Sequence, residues 1–427
     1  MSRLLYQIAL LIARPLVHVR LKLRTRKEPE YGERKQERFG YVPDKVRSGP
    51  VWFHTVSAGE TIAAAPLIRE LTALYPEQPF LVTTMTPTGS HQVTERLSDV
   101  VDHCYAPYDF KDAVQRFFHS VQPKILLLME TELWPGMIAA ADAAGIEVIV
   151  VNARLSERSA KGYQKLGNLT RTMMQSISHI ACQTSAHRDR FIGLGAAPTS
   201  VTVTGSVKYD ISLSPEHDAK VAALRERFAL HATDPVWIAA STHPGEDELV
   251  LNAHVQMQEL IPDLRLILVP RHPVRCDEVA DMVRAAGFTV ARQSQEDLSD
   301  TKAQVIIGDV MGQLQVLYDT ARVAYVGGSL VDVGGHNPIE PALCGLPVVC
   351  GPFQYNFTDV MDAMAKAGGL TTVTSADDLC RTVSGWLQNE EARQAAGQAA
   401  LANVEANRGA QARIRELVTA AIDRAIA

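Results

Sequence analysis

Carboxylates that follow short apolar runs are the residues of this 427-residue chain best suited to chemistry. Phe53-His54-Thr55-Val56-Ser57-Ala58-Gly59-Glu60 reads as a strand passing through a glycine turn into a helix. Glu60 there can take a proton from a hydroxyl as a general base, or serve only as a first-turn acid favoured by the helix dipole. Met129-Glu130-Thr131-Glu132-Leu133-Trp134-Pro135 follows the most apolar run of the chain. One of its acids is expected to face the site, Glu130 being nearer the strand, and the other to cap the next helix. Lys208, within Gly205-Ser206-Val207-Lys208-Tyr209-Asp210, can neutralise phosphate or be an ordinary surface lysine.

The second half carries a different set. Val323–Val326 ends in Gly327-Gly328-Ser329, and a second glycine pair leads into His336-Asn337-Pro338-Ile339-Glu340-Pro341. Pro338 suits a helix start. Free N–H groups at that start, behind a glycine loop, are expected to take phosphate, while Glu340 suits a sugar or ribose hydroxyl. These parts read as a pocket for a nucleotide-activated sugar. Ser241-Thr242-His243-Pro244-Gly245-Glu246, Pro270-Arg271-His272-Pro273 and Gly308-Asp309-Val310-Met311-Gly312-Gln313 also follow apolar runs. Arg271 offers a planar fork to an anion, and the last loop offers backbone N–H groups to base or phosphate.

Elements must bring these ends together. Strands are expected at 51–56, 79–85, 124–129, 147–151 and 179–183, then at 236–240, 265–269, 305–307, 323–326 and 347–350. Helical patterns lie between them, and near-continuous apolar strands alternating with helices predict parallel sheets covered on both faces. The pattern breaks around 205–234 and restarts, so the chain divides into an anchor and basic segment (1–27), an acceptor-binding domain (28–210) and a donor-binding domain with a helical tail (211–427). The fold class is α/β: two doubly wound, Rossmann-like domains facing across a cleft, with ligands at strand C-termini.

A net charge of −6 gives no general affinity for nucleic acid. The six cysteines form no Cys-x-x-Cys pair and suit buried, reduced thiols; no zinc, calcium or Walker motif is present. At the N-terminus, Leu4–Ala13 is apolar, Arg14-Pro15 interrupts, and Arg20, Lys22, Arg24, Arg26 and Lys27 follow without an acid. The run is short for a bilayer span of about 20 residues. It suits an interfacial anchor with cations on anionic headgroups, although a helix packed on the protein's own core and a tilted span are also open.

The anchor, His54–Glu60, Glu130–Pro135, Gly205–Asp210, Pro270–Pro273 and Gly334–Pro341, in this order, resemble the 3-deoxy-D-manno-octulosonic acid (Kdo) transferases of lipopolysaccharide synthesis. The resemblance covers nearly the whole chain. It implies a GT-B fold, no cofactor and no required metal, and inverting transfer of Kdo from CMP-Kdo to a lipid A precursor (lipid IVA) at the cytoplasmic face of the bacterial inner membrane. It implies Glu60 as base, Glu130 and Lys208 as transition-state stabilisers, and Pro270, Arg271, Met311, Gly312, Gln313, Asn337, Pro338, Ile339 and Glu340 as CMP-binding residues. Gly136 and Gln313 depart from the Asn and Glu common in that family. A GT-B-like sugar-nucleotide epimerase and a silent nucleotide-sugar or lipid-binding module are the competing readings; an epimerase needs neither a lipid-facing anchor nor the Glu60 turn.

Overall fold

Ile125-Leu126-Leu127-Leu128-Met129 is buried at every position, so both faces of its sheet must be covered. The computed structural model, which describes residues 1–211, 213–295 and 302–427, builds two separate seven-stranded sheets from such segments. The first contains β1 (Val51–His54), β2 (Phe80–Thr84), β3 (Asp102–Tyr105), β4 (Ile125–Met129), β5 (Glu147–Ala153), β6 (His179–Cys182) and β7 (Val201–Val203). Its order is β3-β2-β1-β4-β5-β6-β7, all parallel. Alternate residues feed opposite cores: Trp52, Leu126, Leu128 and Val150 on one face, Val51, Phe53, Leu127 and Ile149 on the other.

The second sheet contains β8 (Val236–Thr242), β9 (Arg265–Pro270), β10 (Val290–Arg292), β11 (Val305–Ile307), β12 (Val323–Val326), β13 (Val348–Cys350) and β14 (Leu370–Thr372). Its order is β10-β11-β9-β8-β12-β13-β14, again all parallel. In each sheet the chain starts centrally and reverses direction, at β1/β4 in one and β8/β12 in the other. At such points the loops leaving the strand C-termini diverge and open a crevice suited to ligands.

The compact unit around the first sheet comprises Met1–Asp210 with Arg408–Ala427; the second comprises Ile211–Asn407. The last helix, Ala410–Ile426, therefore belongs with the first sheet rather than with the donor-domain range ending at 427. Ile414, Val418, Ala421 and Ile422 form one helical face and join the core of Val51, Phe53 and Leu127. The Asp210 carboxylate receives the Gly409 and Gln411 N–H groups at its start.

At the N-terminus one helix runs from Arg3 to Lys27, continuing through Pro15, where the apolar run is interrupted. Proline removes one helical hydrogen bond. Docking contacts on both sides of the site, described below, hold the helix continuous.

Candidate active site

Glu60 is held by its own turn. Ser57 caps the helix Ala58–Leu74, its Oγ accepting the Glu60 N–H at 3.4 Å. In return Glu60 Oε1 accepts the Ser57 hydroxyl at 2.9 Å, and Oε2 accepts the Val56 N–H at 2.7 Å. This is a variant of the reciprocal Ser-x-x-Glu box, with the glutamate reaching the N–H one residue before the cap and the cap's own hydroxyl. Each carboxylate oxygen keeps lone-pair capacity for a proton. Burial, with the nearby charges of Glu132 and then Glu130, pushes the Glu60 carboxyl up to about 7 against those two hydrogen bonds. A carboxylate tuned to neutral pH is suited to general-base work.

The neighbouring strand ends complete the site. Glu130, after β4, is buried, adopts left-handed backbone (φ 53°) and pairs with Arg154 at 2.6 Å. A non-glycine residue in that region is strained, as is common at functional sites. Glu132, raised chiefly by burial, accepts the Trp134 indole N–H at 2.8 Å and couples more strongly than Glu130 to Glu60. Neither acid caps the following helix, Pro135–Ala143. Asp109 does, receiving the Gly136 and Met137 N–H groups at 2.7 Å each and the Tyr6 hydroxyl at 2.8 Å. A Cβ on Gly136 would lie 2.6 Å from Asp109 Oδ1, which accounts for glycine there. Lys208 lies in the short turn Val207–Tyr209, pinned to the end of β5 by the Val207 N–H on Asn152 Oδ1 at 3.2 Å. His54 lies beneath as a neutral core histidine, lowered to about 4 by burial. Glu60, Glu130 and the Lys208 turn thus gather at the C-terminal ends of β1, β4 and β5, adjacent strands at the reversal point.

In the second unit a cavity of about 280 Å³ opens at the ends of β8, β9, β11 and β12. Pro270, Arg271, Met311, Gly312, Asn337 and Glu340 line it, with Ser241 and His336. The other three residues expected to bind CMP adjoin this lining in sequence without being part of it. Gln313 is tied to Gln293 at 2.7 Å, Pro338 caps the following helix, and Ile339 is fully buried. Glu340 is raised by burial and accepts the Asn337 amide at 3.0 Å.

The amides of the first glycine turn are occupied from within. The buried Glu246 takes the Gly328 N–H on Oε2 at 2.7 Å, and the Ser329 and Leu330 N–H groups on Oε1 at 2.9 Å each. It also takes the His243 N–H at 3.0 Å and the Tyr325 hydroxyl at 2.7 Å. The helix beyond, Ile339–Leu343, is one short turn whose first N–H goes to Asn337 Oδ1. Glu246 was not singled out from sequence, and four of its five partners lie some 80 residues downstream. Gly327 is needed for close approach, since a Cβ there would meet the Ser241 carbonyl at 2.6 Å. Among the described residues, no group of three or more His, Cys, Asp or Glu is placed to hold a metal ion.

Two parallel α/β units, each with its strand order reversing at the centre of the sheet, are consistent with a GT-B-like fold. HepE from Anabaena in complex with UDP shares the fold, at TM-score 0.56 and 14% identity over 87% of this chain and all of that one. UDP-GlcNAc 2-epimerase from Neisseria meningitidis does so at TM-score 0.52 and 14% identity, over 87% of this chain and all of that one. Such low identity speaks to the fold alone. The family model for 3-deoxy-D-manno-octulosonic-acid transferase matches residues 33–211. The 3-deoxy-D-manno-octulosonic acid transferase of Haemophilus influenzae is 39% identical over 99% of this chain and its own entire length. That of Bordetella pertussis is 35% identical over 97% of this chain and 98% of its own. The chain belongs to the Kdo transferase family.

Proposed function

We propose that this enzyme moves Kdo from CMP-Kdo onto a glucosamine hydroxyl of a lipid A precursor such as lipid IVA, by one inverting displacement with Glu60 as base. The reaction is the family's: CMP-Kdo-dependent transfer to a lipid A-like acceptor in lipopolysaccharide core assembly. The observation that carries the roles is the Glu60 carboxyl, held at about 7 by burial and two neighbouring acids and oriented by two donors. It takes the hydroxyl proton as the oxygen attacks the anomeric carbon and CMP departs. Glu130, after β4, and Lys208, in the turn held at the end of β5, stabilise charge in the transition state. Arg271, Asn337 and Glu340 hold CMP, with the loop Val310–Gly312. A mass-resolved assay with CMP-Kdo, lipid IVA and added chelator tests this. Product heavier by Kdo is expected; donor binding without product would refute it.

The acceptor is a lipid, and the N-terminal helix supports an in-plane membrane contact. One side is docked throughout: the Met1 amine on the Leu166 carbonyl, Arg14 on Asp112 at 3.0 and 3.1 Å, His18 stacked on Phe39, and Arg24 over Tyr31. The other side exposes Leu4, Ile8, Leu11, Ile12, Leu16, Val19 and Leu23, one continuous stripe. A helix crossing the bilayer would break those contacts; one lying in the interface keeps them and sets its basic end on anionic headgroups. Leu11→Glu with Leu16→Glu is expected to weaken flotation with phosphatidylglycerol vesicles at least about tenfold, since several kcal/mol of apolar transfer is lost. Unchanged flotation would refute the contact. Substitution is preferable to deletion, which would also remove the Tyr6 bond to Asp109.

A further inference from the structure

With the glycine-turn amides held by Glu246, side chains are left to supply positive charge on this edge of the cavity. Besides Arg271, the edge of the cavity carries a cluster of histidines. His243 Nε2 lies 2.8 Å from His336 Nε2, the rings parallel with centroids 5.1 Å apart, and His272 meets His243 edge-on at 5.8 Å. His336 lines the cavity, and His243 sits in the turn that Glu246 pins. Gly328 leaves room for the pair: a Cβ there would lie 2.9 Å from the His336 ring.

A 2.8 Å contact between two ring nitrogens requires a proton on one and a lone pair on the other. The neutral pair therefore keeps one proton between its Nε2 atoms. A further proton can enter at the Nδ1 of the donating ring, giving an imidazolium that still bonds its partner. Burial, then His243 and Arg271, lower His336 to about 4, and burial also lowers His243. Of the facing groups, Glu246 favours the charged form while Arg271, His272 and Arg275 oppose it. Arg275 is itself paired with the buried Asp247 at 2.7 Å. Across the cavity Glu340 is held by Asn337, and Asp309 pairs with Arg292. CMP-Kdo brings two anionic groups, a phosphodiester and a carboxylate, into this balance.

We propose that the His243–His336 pair takes up a proton when the donor binds and carries the positive charge against which the phosphate departs. The inference rests on the donor-pocket reading above. In the transfer, the bond between the anomeric carbon and the phosphate oxygen breaks with its electron pair going to that oxygen. The phosphate gains a second negative charge as the acceptor oxygen bonds to carbon and its proton passes to Glu60. The pair keeps its proton through this step, and a fixed cation there lowers the barrier. The proton leaves when CMP is released.

Calorimetric titration with CMP-Kdo, without acceptor and in buffers of different ionisation enthalpy, reads the proton directly. The donor's phosphodiester and carboxylate do not titrate near neutrality. Uptake is expected to rise from near none at about pH 8 to half a proton or more at about pH 6, with donor affinity increasing as pH falls. His243→Asn and His336→Asn should each reduce uptake to near none. Cytidine 5′-(methyl phosphate) assigns the anion: uptake with it points to the phosphate, and uptake only with CMP-Kdo points to the carboxylate. Donor binding without uptake, or uptake that survives both substitutions, overturns the proposal. Failure of the wild-type protein to bind either ligand would instead overturn the donor pocket, and the proposal with it.

Discussion

Glu60→Gln is expected to lower kcat by about 10²–10⁴, the usual worth of a positioned base, while CMP-Kdo binding stays within a few-fold. Glutamine can still accept the Val56 N–H on its amide oxygen, while its NH₂ group donates to the Ser57 Oγ instead of accepting from it, so the turn and its helix should persist. What disappears is the ability to accept a proton from the attacking hydroxyl. A merely structural Glu60, completing the cap of Ala58–Leu74, would tolerate this change with near-normal turnover. The comparison is kcat for Kdo transfer alongside calorimetric binding of the donor.

The second large effect concerns Glu246. It satisfies five donors from three segments, three of them amides of the turn Gly328–Leu330. Glu246→Ala leaves all five without their acceptor, at about 1–3 kcal/mol for each that water cannot reach. The total is comparable with the whole stability of a domain, about 5–15 kcal/mol. The unit formed by Ile211–Asn407 is expected to melt at much lower temperature and to lose CMP binding with it. Glu246→Gln should also be strongly destabilising, because its NH₂ group must face either the Gly328 and His243 amides or the three donors on the other oxygen. A Glu246 that touched the nucleotide directly would instead lose CMP binding at unchanged melting temperature. Calorimetric melting and CMP titration on both variants separate the two outcomes.

The fold was largely legible because central parallel strands are apolar on both faces. The ten strands expected from sequence are all present, with ends shifted by up to two residues. The four it missed, β3, β7, β10 and β14, are the edge strands of the two sheets. Edges face solvent on one flank, so Asp102-His103-Cys104-Tyr105, Val201-Thr202-Val203, Val290-Ala291-Arg292 and Leu370-Thr371-Thr372 show no long apolar run. The Glu60 turn was readable because its Ser-x-x-Glu box is local. Asp109 capping the helix after Trp134, and Glu246 occupying the glycine turn, were not. In each case an acid meets amides that are distant in sequence, and no spacing within either segment signals the other. The course of the helix past Pro15 was open for the same reason, since its contacts on either side of that point come from Asp112 and Phe39.

The pH dependence of kcat/KM for the lipid acceptor tests the central claim most directly. A base whose carboxyl lies at about 7 is inactive when protonated. The logarithm of kcat/KM should therefore climb with unit slope on the acid side, and it should turn down at alkaline pH as the His243–His336 pair loses its proton. Glu132→Gln removes the stronger of the two neighbouring charges and should move the midpoint to lower pH. A rising profile that shifts in this way is the predicted result. A profile flat through neutrality, or a midpoint indifferent to Glu132, would contradict Glu60 as the base.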